Sequence, residues 1–99
     1  MQLRQFALVY DANCQQAGQL VRCTFRASVV DHDALLHQFV VTDAYESARV
    51  VVANDFLVLQ EDQRILSLAL RPLEGPGRHL LTVAIDGERQ AGAWIEMVP

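Results

Sequence analysis

The stretch from Pro72 to Pro99 constrains the fold most, because four local signals agree there. A Gly/Pro-rich segment, Glu74-Gly-Pro-Gly77, leads into Leu81, Val83 and Ile85 at alternate positions; Asp86-Gly87 follows, and a second apolar run reaches the end of the sequence. Apolar alternation on both sides of Asp-Gly is the signature of a β-hairpin with a two-residue turn. A chain that ends in this way belongs to an antiparallel sheet.

The hairpin has two registers, and they differ in where they send Trp94. If the strands pair without interruption, Ile85 faces Glu88 and His79 faces Trp94, so that Trp94 joins the buried set and Glu96 follows it inward. If a bulge at Ala91-Gly92-Ala93 shifts the parity, Ile95 and Met97 turn inward while Trp94 and Glu96 face out. The bulge is preferred because it keeps an unpaired carboxylate out of the core. In the other register Trp94 is simply a core residue.

The rest of the chain has the same period. Residues 2 to 11 alternate, with Phe6, Leu8 and Tyr10 on one side, and predict a first strand. Asp11 to Gly18 has turn chemistry. Leu20 to Val30 predicts a second strand with Val21, Cys23, Phe25, Ala27 and Val29 inward and Arg22, Thr24, Arg26 and Ser28 in water, the one-wet-face pattern of antiparallel sheets. A third strand is expected over about Leu36 to Thr42, then a polar bend through Asp43, Glu46 and Ser47. Two apolar runs, Arg49 to Ala53 and Asp55 to Gln60, are separated by Asn54-Asp55, which reads as a bulge or tight turn. Glu61-Asp62-Gln63 reads as a hairpin tip. Residues 61 to 70 have helix-forming composition, but the period-two placement of Leu66, Leu68 and Leu70 favours a strand. About seven strands in one domain, residues 1–99, predict an all-β, single-domain, antiparallel two-sheet sandwich.

Composition narrows the function classes. The chain is 52% hydrophobic and 20% charged, rich enough in core formers to fold. Its 12 acidic residues outnumber 8 basic ones, all arginine, and neither sign forms a dense run, which argues against a nucleic-acid partner in either direction. No apolar stretch has the length of a membrane span, and Met1-Gln-Leu-Arg-Gln-Phe6 lacks the pattern of a signal peptide. Cys14 falls in the expected loop and Cys23 in a core strand. A disulfide between them requires the two to sit opposite each other, which the alternation does not demand, so two free thiols and a cytoplasmic location are expected.

Pro72-Leu-Glu-Gly-Pro-Gly-Arg-His79-Leu-Leu-Thr-Val-Ala-Ile-Asp-Gly87 resembles the closing strands of immunoglobulin-like and fibronectin-type-III-like bacterial domains. The N-terminal half is similar to a family of short bacterial β-sandwich proteins that start with a hairpin and end on this motif. The resemblance implies an immunoglobulin-like fold and no particular activity. His79 stands where the corner residue of such domains is usually tyrosine.

Candidates for chemistry are sparse. Asp31-His32-Asp33 with His37 offers oxygen and nitrogen ligands for zinc, manganese or nickel, although no second His or Cys pair completes a set. Ser28, Ser47, Ser67, Cys14 and Cys23 lack the glycine-flanked elbow that presents a nucleophile, and the acidic turns lack the ligand density of a calcium loop. No enzyme activity and no cofactor are expected. In an immunoglobulin-like sandwich the last two strands lie beside the third, so Val40, Leu80, Thr82 and Trp94 would share an outer face. Leu57 and Leu59 also stand at outward parity. These six residues predict an interface. The expected function is a non-catalytic protein-interaction module: a homodimer, an accessory subunit, or an inhibitor carried by a phage or mobile element. The alternatives are a metal- or small-ligand-binding domain using the Asp31 to His37 loop, and a secreted adhesin-like domain with a closed disulfide.

Overall fold

The computed structural model describes residues 8–18, 20–28, 36–58 and 65–98. They form seven strands: β1 (Leu8–Ala17), β2 (Leu20–Ser28), β3 (Leu36–Tyr45), β4 (Ala48–Val58), β5 (Ile65–Leu70), β6 (Gly77–Ile85) and β7 (Glu88–Met97). Two antiparallel sheets result, one in the order β1-β2-β5 and the other β4-β3-β6-β7. The all-β, two-sheet expectation holds. Among the described residues no helix is long and apolar enough to cross a membrane.

Alternation builds the core. Val21, Cys23 and Phe25 of β2 and Leu66, Leu68 and Leu70 of β5 line the inner side of the first sheet; Phe39, Val41, Leu81, Val83, Ile85, Ile95 and Met97 line the second, and all are buried. Period therefore outweighs helix propensity at Leu66 to Leu70, where burial on one face rewards a strand. Asp86 and Gly87 both have positive φ, 52° and 86°, as a type I′ turn requires. Ile85 pairs with Glu88 across it.

Several boundaries differ from expectation. The Asp11 to Gly18 stretch is not a loop: β1 runs through it to Ala17, which pairs with Leu20 at the start of β2. Asn13 and Gln15 tolerate the strand because they face water on an edge, while Ala12 and Cys14 pack against the core. This extension sets Cys14 directly opposite Cys23, and the two form a disulfide, so the expectation of free thiols is wrong. A cytoplasmic location therefore no longer follows from the cysteines. The expected strand residues 2 to 7, Val29, Val30 and the 61 to 63 tip lie outside the described residues.

β3 extends past Thr42 to Tyr45, so Asp43 is a buried strand residue rather than part of a bend, and only Glu46 and Ser47 turn. The two runs around Asn54-Asp55 are one strand, β4. Its irregularity lies at Val52, the extra residue between the Val41–Ala53 and Thr42–Val51 pairs. In β7 the extra residue is Gln90, between the Val83–Ala91 and Ala84–Arg89 pairs, one position before the expected bulge. The parity consequence is as expected: Ile95 and Met97 are buried and Trp94 is exposed.

Candidate functional site

The outer face of the four-stranded sheet is built by register. Directly opposed residues share a face, which gives three rows across all four strands: Arg49, Ala44, Leu80, Trp94; Val51, Thr42, Thr82, Gly92; and Asn54, Val40, Ala84, Arg89. Small and half-buried side chains fill the middle, and Trp94 stands above them at 59% exposure. The Arg78 guanidinium lies 4.4 Å from the centre of the Trp94 ring, a cation–π contact that holds the indole in place. Gly92 leaves room for Arg89: a Cβ there would lie 3.4 Å from the Arg89 guanidinium and 3.5 Å from the Thr82 methyl.

Of the six residues expected at an interface, Val40, Leu80, Thr82 and Trp94 come together on this face. Leu57 does not. It stands opposite buried His37 and packs against the core, because the bulge at Val52 reverses parity along β4. Leu59 lies outside the described residues. The same reversal sends Phe56 outward, opposite Gln38, at 59% exposure, next to Leu36 and Val58 at 61% and 48%. None of these three is among the six residues expected at an interface, although Phe56 and Val58 belong to a continuous apolar run of the kind that is covered on both faces or packs against another chain. The continuous apolar run of β4 was the available signal, but the bulge position was not legible from it.

A second polar constellation lies inside the fold. His79 is fully buried, with Nδ1 2.8 Å from Asp43 Oδ2 and Nε2 2.8 Å from the Gly75 carbonyl oxygen. Both partners of the ring are acceptors, so Nε2–H donates to Gly75 and a further proton is shared between Nδ1 and Asp43. The bond to Gly75 reaches back to the backbone four residues upstream, the kind of contact for which a tyrosine is usual in the domains whose closing strands this segment resembles. Histidine makes it here. Tyr45 stacks on the imidazole with centroids 3.9 Å apart and donates its hydroxyl to Pro76 O at 2.6 Å. Gly75 is required for this stack, since a Cβ would lie 2.7 Å from the Tyr45 ring and φ is 98°. His79 is thus a buried residue of the core. Asp43 Oδ1 has no hydrogen-bond partner among the described residues.

His37, one of the expected metal ligands, is also buried and committed. Its Nδ1 lies 2.7 Å from Asp86 Oδ2, Asp86 Oδ1 accepts the Gln38 N–H at 3.0 Å, and the Asp86 N–H donates to Gln38 O at 2.9 Å. Asp31, His32 and Asp33 lie outside the described residues. Among the described residues no group of three metal-ligating side chains gathers. Of the nucleophile candidates, Ser67 accepts a hydrogen bond from Arg22 at 3.3 Å and Ser47 sits in a turn. At the opposite end of the sandwich an open cleft of about 770 Å³ is lined by Gln16, Pro72, Leu73, Glu74 and Met97 among others. The Gln16 side chain pairs there with the backbone of Val98 through both its amide atoms, Nε2–H donating to the carbonyl and Oε1 accepting from the N–H.

The fold places the chain in the class of all-β proteins with two packed antiparallel sheets of three and four strands. Among solved structures it is similar to Pseudomonas fluorescens alkylpurine DNA glycosylase AlkC bound to DNA containing an abasic site analog, with a TM-score of 0.62 and 15% sequence identity. The match covers 96% of this chain and 31% of that one, so the likeness is one of fold over part of the larger protein. No family model matches the sequence, and no curated protein matches it significantly.

Proposed function

We propose that this chain is a non-catalytic protein-interaction module of immunoglobulin-like fold, working through the outer face of its four-stranded sheet as an accessory subunit, an inhibitor or one half of a homodimer. The observation that carries this reading is Trp94. It is the one tryptophan of the chain, and it stands 59% exposed beside Leu80. Tryptophan and arginine over a small, apolar floor have the composition of an interface centre. The strand order β1-β2-β5 over β4-β3-β6-β7 and the corner bond of His79 support the immunoglobulin-like assignment. Trp94→Arg tests the function. Partners retained from an extract of the source cells by the wild-type protein, and the mass of the protein in solution, are compared with those of the folded variant. Loss of a retained partner or of a dimer is expected; an unchanged partner set and mass would remove the face from consideration.

The Cys14–Cys23 disulfide favours a more specific version, an exported adhesin-like domain, because such bonds persist in oxidising compartments. Quantifying thiols in the native protein decides it. No reactive thiol before reduction and two after is the expected result, and two in the untreated protein would return the chain to a reducing compartment.

A further inference from the structure

The electrostatics of the outer sheet face define its partner. The chain as a whole carries a net charge of -4. Yet Arg49 ends one row of the face, Arg89 ends another, and Arg78 lies over Trp94. Among the described residues the acids stand elsewhere. Asp11 is in β1 of the other sheet, Asp43 is buried toward the core, Glu46, Asp86 and Glu88 are at turns, Glu74 is in the cleft lining, and Asp55 is on the opposite parity of β4. Glu96 alone shares the face. It is opposite Arg78 in the ladder, but the two form no ion pair, and the guanidinium lies over the indole instead. None of the three arginines has a carboxylate partner among the described residues.

We infer that this face takes a protein segment that presents carboxylates around an apolar side chain. The carboxylates would reach Arg49, Arg78 and Arg89, and the apolar side chain would lie on Leu80 against Trp94. The inference rests on the interaction reading above and deepens it. Two copies of the chain packed through this face would bring together two surfaces that each carry three arginines against one carboxylate, Glu96, and like net charges across an interface are disfavoured. Of the options named above, we therefore commit to a different, acidic partner. A nucleic acid is the less suitable anion. Three separated arginines around an apolar floor supply few phosphate contacts, and the surrounding chain is acidic. Guanidinium groups paired with carboxylates at the rim of an aromatic anchor are, by contrast, an ordinary protein contact.

The test uses a dye-labelled, end-capped peptide of alternating glutamate and leucine, a lysine–leucine counterpart, and single-stranded oligothymidylate of matched charge, each titrated against the protein by fluorescence anisotropy. Binding of the glutamate peptide that weakens with added salt is expected, with no binding of the lysine peptide. Each exposed charge pair is worth up to about fivefold. The triple variant Arg49→Glu, Arg78→Glu, Arg89→Glu should thus lower affinity by about a hundredfold, and the corresponding triple Gln variant by less. Circular dichroism checks that both fold, and the Gln variant alone suffices if the Glu variant does not.

The inference is overturned if the glutamate peptide binds no better than the lysine peptide, if oligothymidylate binds more tightly, or if the Gln variant binds the glutamate peptide as the wild type does. The two levels fail differently. If the face is an interface for some other chemistry, Trp94→Arg loses the retained cellular partner while the arginine variants keep it. If the face is no interface, neither substitution affects that partner.

Discussion

Two histidine–aspartate pairs join β3 to β6 or its turn, and they exchange roles between the two ends. At one end β3 supplies Asp43 and β6 supplies His79; at the other β3 supplies His37 and the β6–β7 turn supplies Asp86. Their distances are nearly equal, 2.8 and 2.7 Å. Their surroundings are not: the side chains of the first pair are 0% and 7% exposed, whereas Asp86 is 35% exposed. Equal geometry therefore carries unequal energy. Where water can take the place of a lost partner, breaking a pair is cheap; where it cannot, the survivor keeps a buried, uncompensated charge or proton.

The largest expected effect lies at the buried pair. His79→Phe keeps a ring against Tyr45 but strands Asp43, and should destabilise the fold by about 3–5 kcal/mol in urea titration. Combining it with Asp43→Leu should restore part of that loss. A double variant as unstable as the sum of its single variants would mean that the two groups do not act as a pair.

The covalent tie in the other sheet provides a yardstick. Reducing Cys14–Cys23 should cost about 2–3 kcal/mol, measured as a lower urea midpoint in the presence of a dithiol. A drop larger than that of His79→Phe would reverse the ranking. Gly75→Ala reaches the buried pair indirectly by pushing on the Tyr45 ring, and with its strained φ should cost roughly 1–3 kcal/mol. Adding Tyr45→Ala removes the clash but not the strain, and should recover only part of the cost. At the less buried pair, His37→Ala is expected to cost about 1–2 kcal/mol, well below His79→Phe. Equal losses at both histidines would show that burial is not the deciding variable. The smallest effect is a gain. Glu46 has φ 54° in the β3–β4 turn, and Glu46→Gly should stabilise by about 0.5–1 kcal/mol while leaving both pairs intact.

Much of this architecture was legible because period-two alternation is a direct imprint of one-sided burial. Val21, Cys23 and Phe25, Leu66 to Leu70, and Leu81 to Ile85 could be assigned to the inner side without coordinates, and Asp86-Gly87 supplied the turn. Trp94 was placed outward by a charge argument about Glu96, and the bulge that achieves it lies one residue from the expected position. The illegible parts have one physical origin. Where pairing with a neighbour decides the state, local propensity misleads: Asn13, Gln15 and Gln16 resemble a loop but lie in an edge strand, which is also why the disulfide was missed. Val52 hides the parity reversal that moves Leu57 inward and Phe56 outward. Asp43 was read as part of a bend and Tyr45 was given no role, and nothing in their spacing announces that His79 is waiting across the ladder. The arginine face depends on all four strands being in register, a property no single segment contains.

The position of the sole tryptophan also has an optical consequence. The indole is solvated in the folded protein and solvated again in the unfolded chain, and a guanidinium lies over it only in the first. Its emission is therefore expected to stay red-shifted throughout denaturation, with changes in intensity rather than wavelength. Intrinsic fluorescence will report on what happens at the sheet's outer surface and remain nearly blind to the melting of the interior.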